Sequence, residues 1–454
     1  MNEYYNKVLL KCSCFSERGI VMFQLKENQT TVKKELFAGL TTFLTMAYVI
    51  IVNPIILADA GVPLEQVFMA TIIATVIGTG WMALCANYPI AVAPGMGLNA
   101  YFTYTVVLAS NGQIHYLTAF SAVFVAGLLF IIISLSPLRE KLIVAIPENL
   151  KLAITAGIGL FIAFIGLRMS GIVVANETNF VGLGDLSAPS TLLTLFGLAV
   201  TVALMARNVN GALFIGMIIT AIVAVLTNQL HIDKVMAMPH LPDGILVWNP
   251  ITAIREVIEY GLYGVVFSFI LVTLFDTTGT MIGVAKQAGL MKDNKLPRAR
   301  KALLADSMAT TTGAMLGTSP STAYLESGAG VAAGGRTGLT SLTVAVLFIV
   351  ASFFAPLVGS LSTVAAITSP ALIIVGSLMI SVVKQIDWDQ FEVAFPAFLV
   401  ILTMPLTSSI STGIALGFIS YPLVMLFKGQ GRQVHPLVYL FALLFVIQLV
   451  FMPH

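Results

Sequence analysis

Three carboxylates lie in otherwise apolar sequence beyond the middle of the chain: Asp276, Asp306 and Glu326. The chain has 454 residues, of which 58% are hydrophobic and only 10% are charged. A carboxylate held in hydrocarbon is costly, and such a residue is typical of a proton relay, an ion site or a substrate contact. These three acids therefore indicate a protein that moves a solute across a membrane.

Asp276 lies late in an apolar run rich in Phe, Val and Leu and is followed by Thr277 and Thr278. Because a low dielectric disfavours the ionised carboxylate, Asp276 can take up and release a proton. We expect it to bind substrate and to couple transport to protons. The alternative is a structural acid whose hydrogen bonds come from the neighbouring threonine hydroxyls.

Glu326 follows an interrupted apolar run at 318–322, within the first turns of a half-helix predicted to begin near Pro320. The helix dipole favours negative charge at this end, and a carboxylate can accept two N–H donors from one planar ligand. The position predicts a substrate contact that also belongs to the proton-coupling network. An acid that only complements the helix dipole is the alternative.

Asp306 lies among apolar and small residues, but the basic residues Arg300 and Lys301 come just before it. As an acid in apolar sequence, it is a candidate for a proton relay or an ion site. A salt bridge at the membrane edge, to one of these residues or to Arg336, is the alternative.

Polar and aromatic side chains near the breaks add further candidates for a substrate site. An Asn can donate to and accept from the edge of a heteroaromatic ring, and an aromatic side chain can stack on its face. For the polar residues a hydrogen bond in helix packing is an equal alternative, and for the aromatic residues packing is the more common role. The candidates are Asn53, Asn99, Thr103, Phe102, Phe275 and Tyr324.

The composition argues against several other classes of function. The net charge of +2 is small, which argues against a nucleic-acid partner. The five histidines lie at span ends or in loops, and none has the spacing of a metal or acyl-transfer site. The sequence contains no Gly-x-x-x-x-Gly-Lys-Ser/Thr phosphate loop. We therefore expect no enzyme activity, no cofactor and no metal.

Hydropathy predicts an all-α membrane protein with about fourteen spans. A span needs roughly 20 apolar residues, and apolar runs of about this length recur along the chain. A further apolar run, 435–452, is either a fifteenth span or a helix that lies in the interface. The predicted spans are 40–58, 66–86, 90–108, 118–136, 147–169, 190–206, 211–229, 258–285, 301–318, 321–335, 338–356, 363–383, 393–407 and 411–427.

Proline and small residues interrupt the third and tenth spans. The first half carries Asn53-Pro54 and then the interrupted run 93–99, and the second half carries Asp276-Thr277 and then 318–322. These matched interruptions predict a duplicated unit, and because seven spans per unit is an odd number, the second copy must be inverted. Irregular backbone at membrane depth survives only where protein or a cavity covers it, so both breaks point to one central site. The alternative is that the prolines only kink their helices.

These features divide the chain into a leading segment 1–36, a first repeat 37–229, a linker 230–257, a second repeat 258–427 and a C-terminal apolar segment 428–454. Basic residues collect on one side of the predicted spans, which makes that side, with the N-terminus, cytoplasmic. We expect a multi-pass protein of the cell membrane. The basic positions are Lys33, Lys34, Arg139, Lys141, Lys151, the stretch from Lys286 to Lys301, Lys428 and Arg432.

Several motifs resemble those of the AzgA-like purine permeases, a branch of the nucleobase–cation symporters. The likeness runs from about residue 23 to residue 444, and its most specific part is the glycine-rich run 326–338. Other members of the wider family often have Glu where Asp276 stands and Gln-Asn where Glu326-Ser327 stands, so these positions match the purine branch. The remaining motifs are 42–48 with Asn53-Pro54, 93–100, 275–280 and Ala305-Asp306.

The resemblance implies a core domain of spans 1–4 and 8–11, a gate domain of spans 5–7 and 12–14, elevator-like alternating access and a homodimer. It implies import of guanine or hypoxanthine, or of adenine, together with a proton, while sodium coupling stays open. By matching positions, Asp276, Glu326 and Ser327 contact the base, and Asp306 and Thr280 belong to the proton-coupling network.

Sulfate and bicarbonate transporters share this architecture, so transport of a small anion is the alternative function. Two acids near the site would repel an anion, and no Lys or Arg lies beside either break to offset them. A purine is neutral, planar and rich in donors and acceptors, so it fits two carboxylates and free backbone N–H groups. The sequence therefore favours purine transport.

Overall fold

The computed structural model describes residues 23–136, 145–242, 244–291 and 296–451. The first 22 residues of the predicted leading segment 1–36, basic positions Arg139 and Lys141, and residues 452–454 lie outside the described residues. Within the described residues the chain is mostly helical, because in hydrocarbon a helix satisfies its own backbone hydrogen bonds.

The elements of the first half follow the predicted spans closely. A π-helical turn, Met82–Ala86, continues the helix Leu64–Trp81, and a longer π-helical stretch, Tyr101–Val107, continues the helix Met96–Ala100. The elements are α1 (Val32–Met46), α2 (Val49–Ala58), α3 (Leu64–Trp81), β1 (Val92–Pro94), α4 (Met96–Ala100), α5 (Tyr116–Leu135), α6 (Glu148–Met169), β2 (Val173–Asn176), β3 (Phe180–Leu183), α7 (Pro189–Ala206) and α8 (Ala212–Leu226).

The second half is also mostly helical. Its elements are α9 (Pro250–Glu259), α10 (Tyr263–Gln287), α11 (Ala299–Leu316), β4 (Ser321–Ala323), α12 (Ser327–Ala332), α13 (Gly338–Ala351), α14 (Ala355–Ser362), α15 (Ala365–Ile380), α16 (Phe391–Leu406), α17 (Ile410–Phe427) and α18 (Pro436–Phe451).

Nine helical segments in the described part of the chain are long and apolar enough to cross a membrane, and α8, α16 and α18 are shorter apolar helices. The protein is therefore a multi-pass membrane protein. Within the apolar run 435–452, residues Pro436–Phe451 form the helix α18, which packs against α17 through contacts of Phe441 and Phe445 with Phe418.

The structure adds elements that hydropathy did not predict. The predicted linker 230–257 contains most of the short helix α9, and the polar stretch 170–189 contains the β2–β3 hairpin. The two interrupted runs form strands instead of bent helix, because β1 and β4 pair antiparallel, with Ala93 opposite Thr322. Pairing gives each broken segment the hydrogen-bond partners that a helix would have supplied.

Packing partners separate most of the helices into two groups. In the first group α1 packs on α12 and α13, α3 packs on α11 and α13, and α5 packs on α10 and α11. In the second group α6 packs on α15 and α16, α7 packs on α8 and α15, and α16 packs on α17. The paired strands β1 and β4 contact α3 and α11 and so lie within the first group.

Glycines set the closest crossing in the second group, where α6 meets α15. A Cβ at Gly159 would lie 2.8 Å from the carbonyl oxygen of Gly376. A Cβ at Gly376 would lie 2.7 Å from Ala163 Cβ and 2.8 Å from the Ala163 nitrogen. Small residues at such crossings let two membrane helices approach to backbone contact.

Replacing Gly376 with alanine should therefore destabilise the protein by about 1–3 kcal/mol, because the obstacle is largely backbone and cannot rotate away. The measurement is the melting temperature of the detergent-purified protein. Gly283→Ala is the matched control, since a Cβ at this helical glycine meets nothing within 4 Å. Equal melting temperatures for the two variants would contradict the assigned contact.

Candidate functional site

A cavity of about 500 Å³ lies where the two helix groups meet. The first group lines it with residues from both broken segments, from α10 and from the link between α1 and α2. The second group lines it with α6, α15 and the 208–213 connection, by which we mean the link after α7 together with the first two residues of α8. The matched breaks therefore do converge on one cavity.

Asp276 and Glu326 both line this cavity. Asp276 lies on α10, and its carboxylate interacts with the side chain of Thr322, the middle residue of β4. Phe275 and Thr280, on the same helix, line the cavity as well. Two acids and an aromatic ring therefore face one partly enclosed space.

Glu326 stands immediately before α12 and interacts with the link that follows α1. Tyr48 donates its hydroxyl proton to Oε1 of Glu326 at 2.7 Å, and the Thr45 hydroxyl donates to the Glu326 carbonyl oxygen at 3.4 Å. Tyr48 lines the cavity and was missed by the sequence analysis, although it closes the motif 42–48. The signal that could have identified it is its position, because Tyr48 lies in the short link between α1 and α2.

The N-terminus of α4 also reaches the cavity, which Met96, Gly97 and Leu98 line. The first N–H groups of a helix have no acceptor within the helix and carry partial positive charge. They can therefore bind acceptor atoms of a ligand, opposite in character to the two carboxylates.

Tyr324 connects the two breaks. Its hydroxyl donates to the Pro94 carbonyl oxygen at 2.5 Å, and its backbone nitrogen donates to the Ala91 carbonyl oxygen at 3.0 Å. Gly95 donates in the other direction, to the Pro320 carbonyl oxygen at 2.9 Å. The ring of Tyr324 lines the cavity, so this residue both braces the paired strands and is available to a planar ligand.

The structure places three of the polar candidates in packing hydrogen bonds outside the cavity lining. Asn53 donates to the hydroxyls of Thr71 at 2.6 Å and Thr318 at 2.9 Å, and Asn99 accepts from the Ser319 hydroxyl. Thr103 donates to the Ile56 carbonyl oxygen at 2.9 Å. All three candidates are wholly buried, so they hold the broken segments to their neighbours.

Ser327, Asp306 and Phe102 also lie outside the cavity lining. The Ser327 hydroxyl accepts from the Ala91 nitrogen at 3.0 Å, which ties α12 to the strand region. Asp306 is wholly buried on α11, where its Oδ1 accepts from the Ser307 nitrogen at 2.9 Å. Phe102 stacks on Phe120 with ring centroids 4.5 Å apart.

Side chains of the two helix groups also contact each other outside the cavity lining. Tyr104, in the π-helical continuation of α4, donates to Oδ2 of Asp59 at 2.6 Å, and the Arg168 guanidinium at the end of α6 lies 5.1 Å from its ring centre. Thr105 donates to the Ser408 carbonyl oxygen at 2.6 Å.

Among the described residues, no group of three or more His, Cys, Asp or Glu residues could hold a metal ion.

Solved structures with the same fold include the transmembrane domain of a cyanobacterial bicarbonate transporter, BicA, and the SLC26A9 protein. The match to BicA has a TM-score of 0.63 at 17% identity, and the matched region covers 84% of this chain and 97% of the BicA chain. SLC26A9 has a TM-score of 0.62 at 14% identity and covers 94% of this chain and 70% of its own.

Sequence relatives are far closer. The guanine/hypoxanthine permease PbuO of Bacillus subtilis (strain 168) is 67% identical over 94% of this chain and 99% of its own length. The guanine/hypoxanthine permease PbuG of the same organism is 47% identical over 95% of this chain and 99% of its own length. The adenine permease AdeP of Escherichia coli (strain K12) is 39% identical over 95% of this chain and 95% of its own length. The model of the Permease family matches residues 33–416. The chain therefore belongs to this family of permeases, and it is a transporter and not an enzyme.

Proposed function

We propose that this protein imports purine nucleobases across the cell membrane, with guanine and hypoxanthine preferred over adenine. The observation that carries the proposal is the cavity in which Asp276 and Glu326 meet the N-terminus of α4. A purine presents N–H donors and ring-nitrogen or carbonyl acceptors on different edges, so carboxylates suit one edge and helix N–H groups another. The names of PbuO and PbuG support the choice of bases.

Phe275 and Tyr324 would contact the flat faces of the base. Glu326 would accept hydrogen bonds both from Tyr48 and from the base. These three rings are buried to at least nine-tenths, so their positions are fixed by packing. Asn53, Asn99 and Ser327 would act one layer behind, by holding the broken segments that present the cavity-lining residues. Preorganisation of this kind reduces the entropy lost on binding.

Transport of a small anion is less well supported, although BicA and SLC26A9 share the fold. None of the described residues that line the cavity is Lys or Arg, while two of them are acids. An anion in this cavity would meet uncompensated like charge in a low-dielectric site. The cavity is therefore better suited to a neutral base than to bicarbonate or sulfate.

Proton symport would use Asp276 as the carrier, because it lines the cavity and is the only acid of α10. Thr280 lies one turn further along α10 and would relay or orient the proton. Asp306 would contribute from behind the strands, where Thr310, one turn beyond it on α11, accepts from the Ser321 nitrogen at 3.0 Å. Coupling to sodium is the competing scheme.

Alternating access would arise from movement of the first helix group, as a core domain, against the second, as a gate domain. The cavity lies between the two groups and is lined on one wall by residues 208–213, while Tyr104 with Arg168 and Thr105 with Ser408 join the groups outside the cavity lining. Gly97 lets α4 approach α6 closely, because a Cβ at this position would collide with Ile158 on α6. The family likeness further implies a homodimer.

The proposal is tested by uptake of labelled hypoxanthine, guanine and adenine in cells that lack their own purine permeases. We expect saturable uptake that increases at low external pH, falls when a protonophore is added and is unchanged when choline replaces sodium. Dependence on sodium would replace the proton scheme while keeping the substrate. Absence of purine uptake by correctly inserted protein would overturn the proposed function.

Asp276→Asn should reduce accumulation of the base to background, because the amide keeps the size of the side chain but cannot carry the proton. The amount of protein in the membrane should not change. Asp185→Asn is the control, because this exposed acid lies in the loop before α7, where it accepts hydrogen bonds from Ser187. Normal accumulation by the Asp276 variant would contradict its assigned role.

The proposed orientation places the 208–213 connection in the cytoplasm, next to Arg207. In a protein whose three cysteines are replaced by serine, Thr178→Cys in the β2–β3 hairpin should react with an impermeant thiol reagent on intact cells. Asn208→Cys should react only after permeabilisation, because α7 separates the two positions. The reverse pattern would invert the assigned topology.

A further inference from the structure

The glycine-rich run 326–338 is the most distinctive part of the sequence, yet only its first residues line the cavity. Its other end meets Glu35, an acid in the first turn of α1 that is wholly buried. Oε1 of Glu35 accepts from the Arg336 nitrogen at 2.9 Å. Oε2 accepts from the Thr340 hydroxyl at 2.6 Å and from the nitrogens of Thr340 at 3.2 Å and Thr337 at 3.3 Å.

Glu35 thus caps the N-terminus of α13 with a side chain from another helix. The helix dipole and the unsatisfied N–H groups of a first turn both favour a carboxylate at this place. Asn87 and Thr337 accept from the neighbouring nitrogens of Gly338 at 2.7 Å and Leu339 at 3.3 Å. The start of α13 is therefore fully capped and tied to α1.

Arg336 connects this cap to the end of α12. Its Nη1 donates to the carbonyl oxygens of Val331 and Gly335, each at 2.7 Å. The chain turns between them at Gly334, whose φ of +108° is a conformation that side chains rarely adopt. Because α12 has only six residues, fixing its C-terminal end fixes the whole helix.

α12 is also pressed directly against α1. A Cβ on Gly330 would lie 2.7 Å from the Ala38 carbonyl oxygen, and a Cβ on Gly335 would lie 3.0 Å from Ala38 Cβ. α1 leads to Thr45 and Tyr48, and α12 begins at Glu326, so the two helices carry the partners of the 2.7 Å hydrogen bond at the cavity. The register between α1 and α12 therefore sets the position of the Glu326 carboxylate.

We propose that Glu35 and Arg336 are positioning residues for the substrate site: they lock α12 against α1 and α13 and so hold Glu326 and Tyr48 in the arrangement that binds the base. This inference rests on the proposed function, because it assigns a role toward its ligand. Without the lock, α12 samples other positions, and the apparent affinity falls by the fraction of molecules in which Glu326 is correctly placed.

The test is the kinetics of hypoxanthine uptake by Glu35→Gln, normalised to the amount of protein in the membrane. Gln has the shape of Glu but loses the charge-assisted hydrogen bonds, so KM should rise about tenfold, while the normalised maximal rate changes by less than about twofold. Glu27→Gln is the matched control, since Glu27 is an exposed acid on the approach to the same helix.

A structural role alone would give less protein in the membrane with an unchanged KM, and that result would overturn the inference. If the Glu35→Gln protein is absent from the membrane, Arg336→Lys decides, because Lys keeps the charge but lacks the guanidinium nitrogen that donates to the carbonyl oxygens of Val331 and Gly335. Loss of membrane protein in both variants would assign both residues to stability and also overturn the inference. Absence of uptake by the unsubstituted protein would instead reject the proposed function.

Discussion

The antiparallel pairing of β1 with β4 is the constraint on which the rest of the structure depends. In a membrane every backbone group needs a partner, so a span that breaks at proline and glycine is stable only when something replaces the lost helical hydrogen bonds. Each broken segment does this for the other, through the pair of Ala93 with Thr322 and the hydrogen bonds from Gly95 to Pro320 and from Tyr324 to Ala91. Because the strands are antiparallel, the half-helices α4 and α12 leave the pair at opposite ends, and residues of both broken segments line the cavity.

This arrangement gives the cavity its two-sided chemistry. The N-terminus of α4 supplies N–H groups, whereas Asp276 and Glu326 supply acceptors, so donors and acceptors face one another across a space lined mainly by apolar groups. The neighbouring helix group completes the walls with α6 and α15.

Much of this could be predicted from the sequence, because hydropathy locates helices and breaks are visible as Pro and Gly: span 147–169 is α6, Glu148–Met169. Asp276 and Glu326 were identified because acids are rare in apolar runs. Which polar residue faces the cavity could not be predicted, since Asn53 and Tyr48 lie close together in sequence but only Tyr48 lines it. The capping role of Glu35 depends on Thr340, about 300 residues away, and no local pattern indicates such a contact.

The most direct test of the central claim, that the paired breaks form a purine site, is an experimental structure of the protein with hypoxanthine bound. We expect the base to lie between the carboxylates of Asp276 and Glu326, with its acceptor edge toward the N-terminus of α4 and its face near Phe275 or Tyr324. A base bound elsewhere, for example in the apolar cavity between α2, α8 and α13, would contradict the proposed purine site.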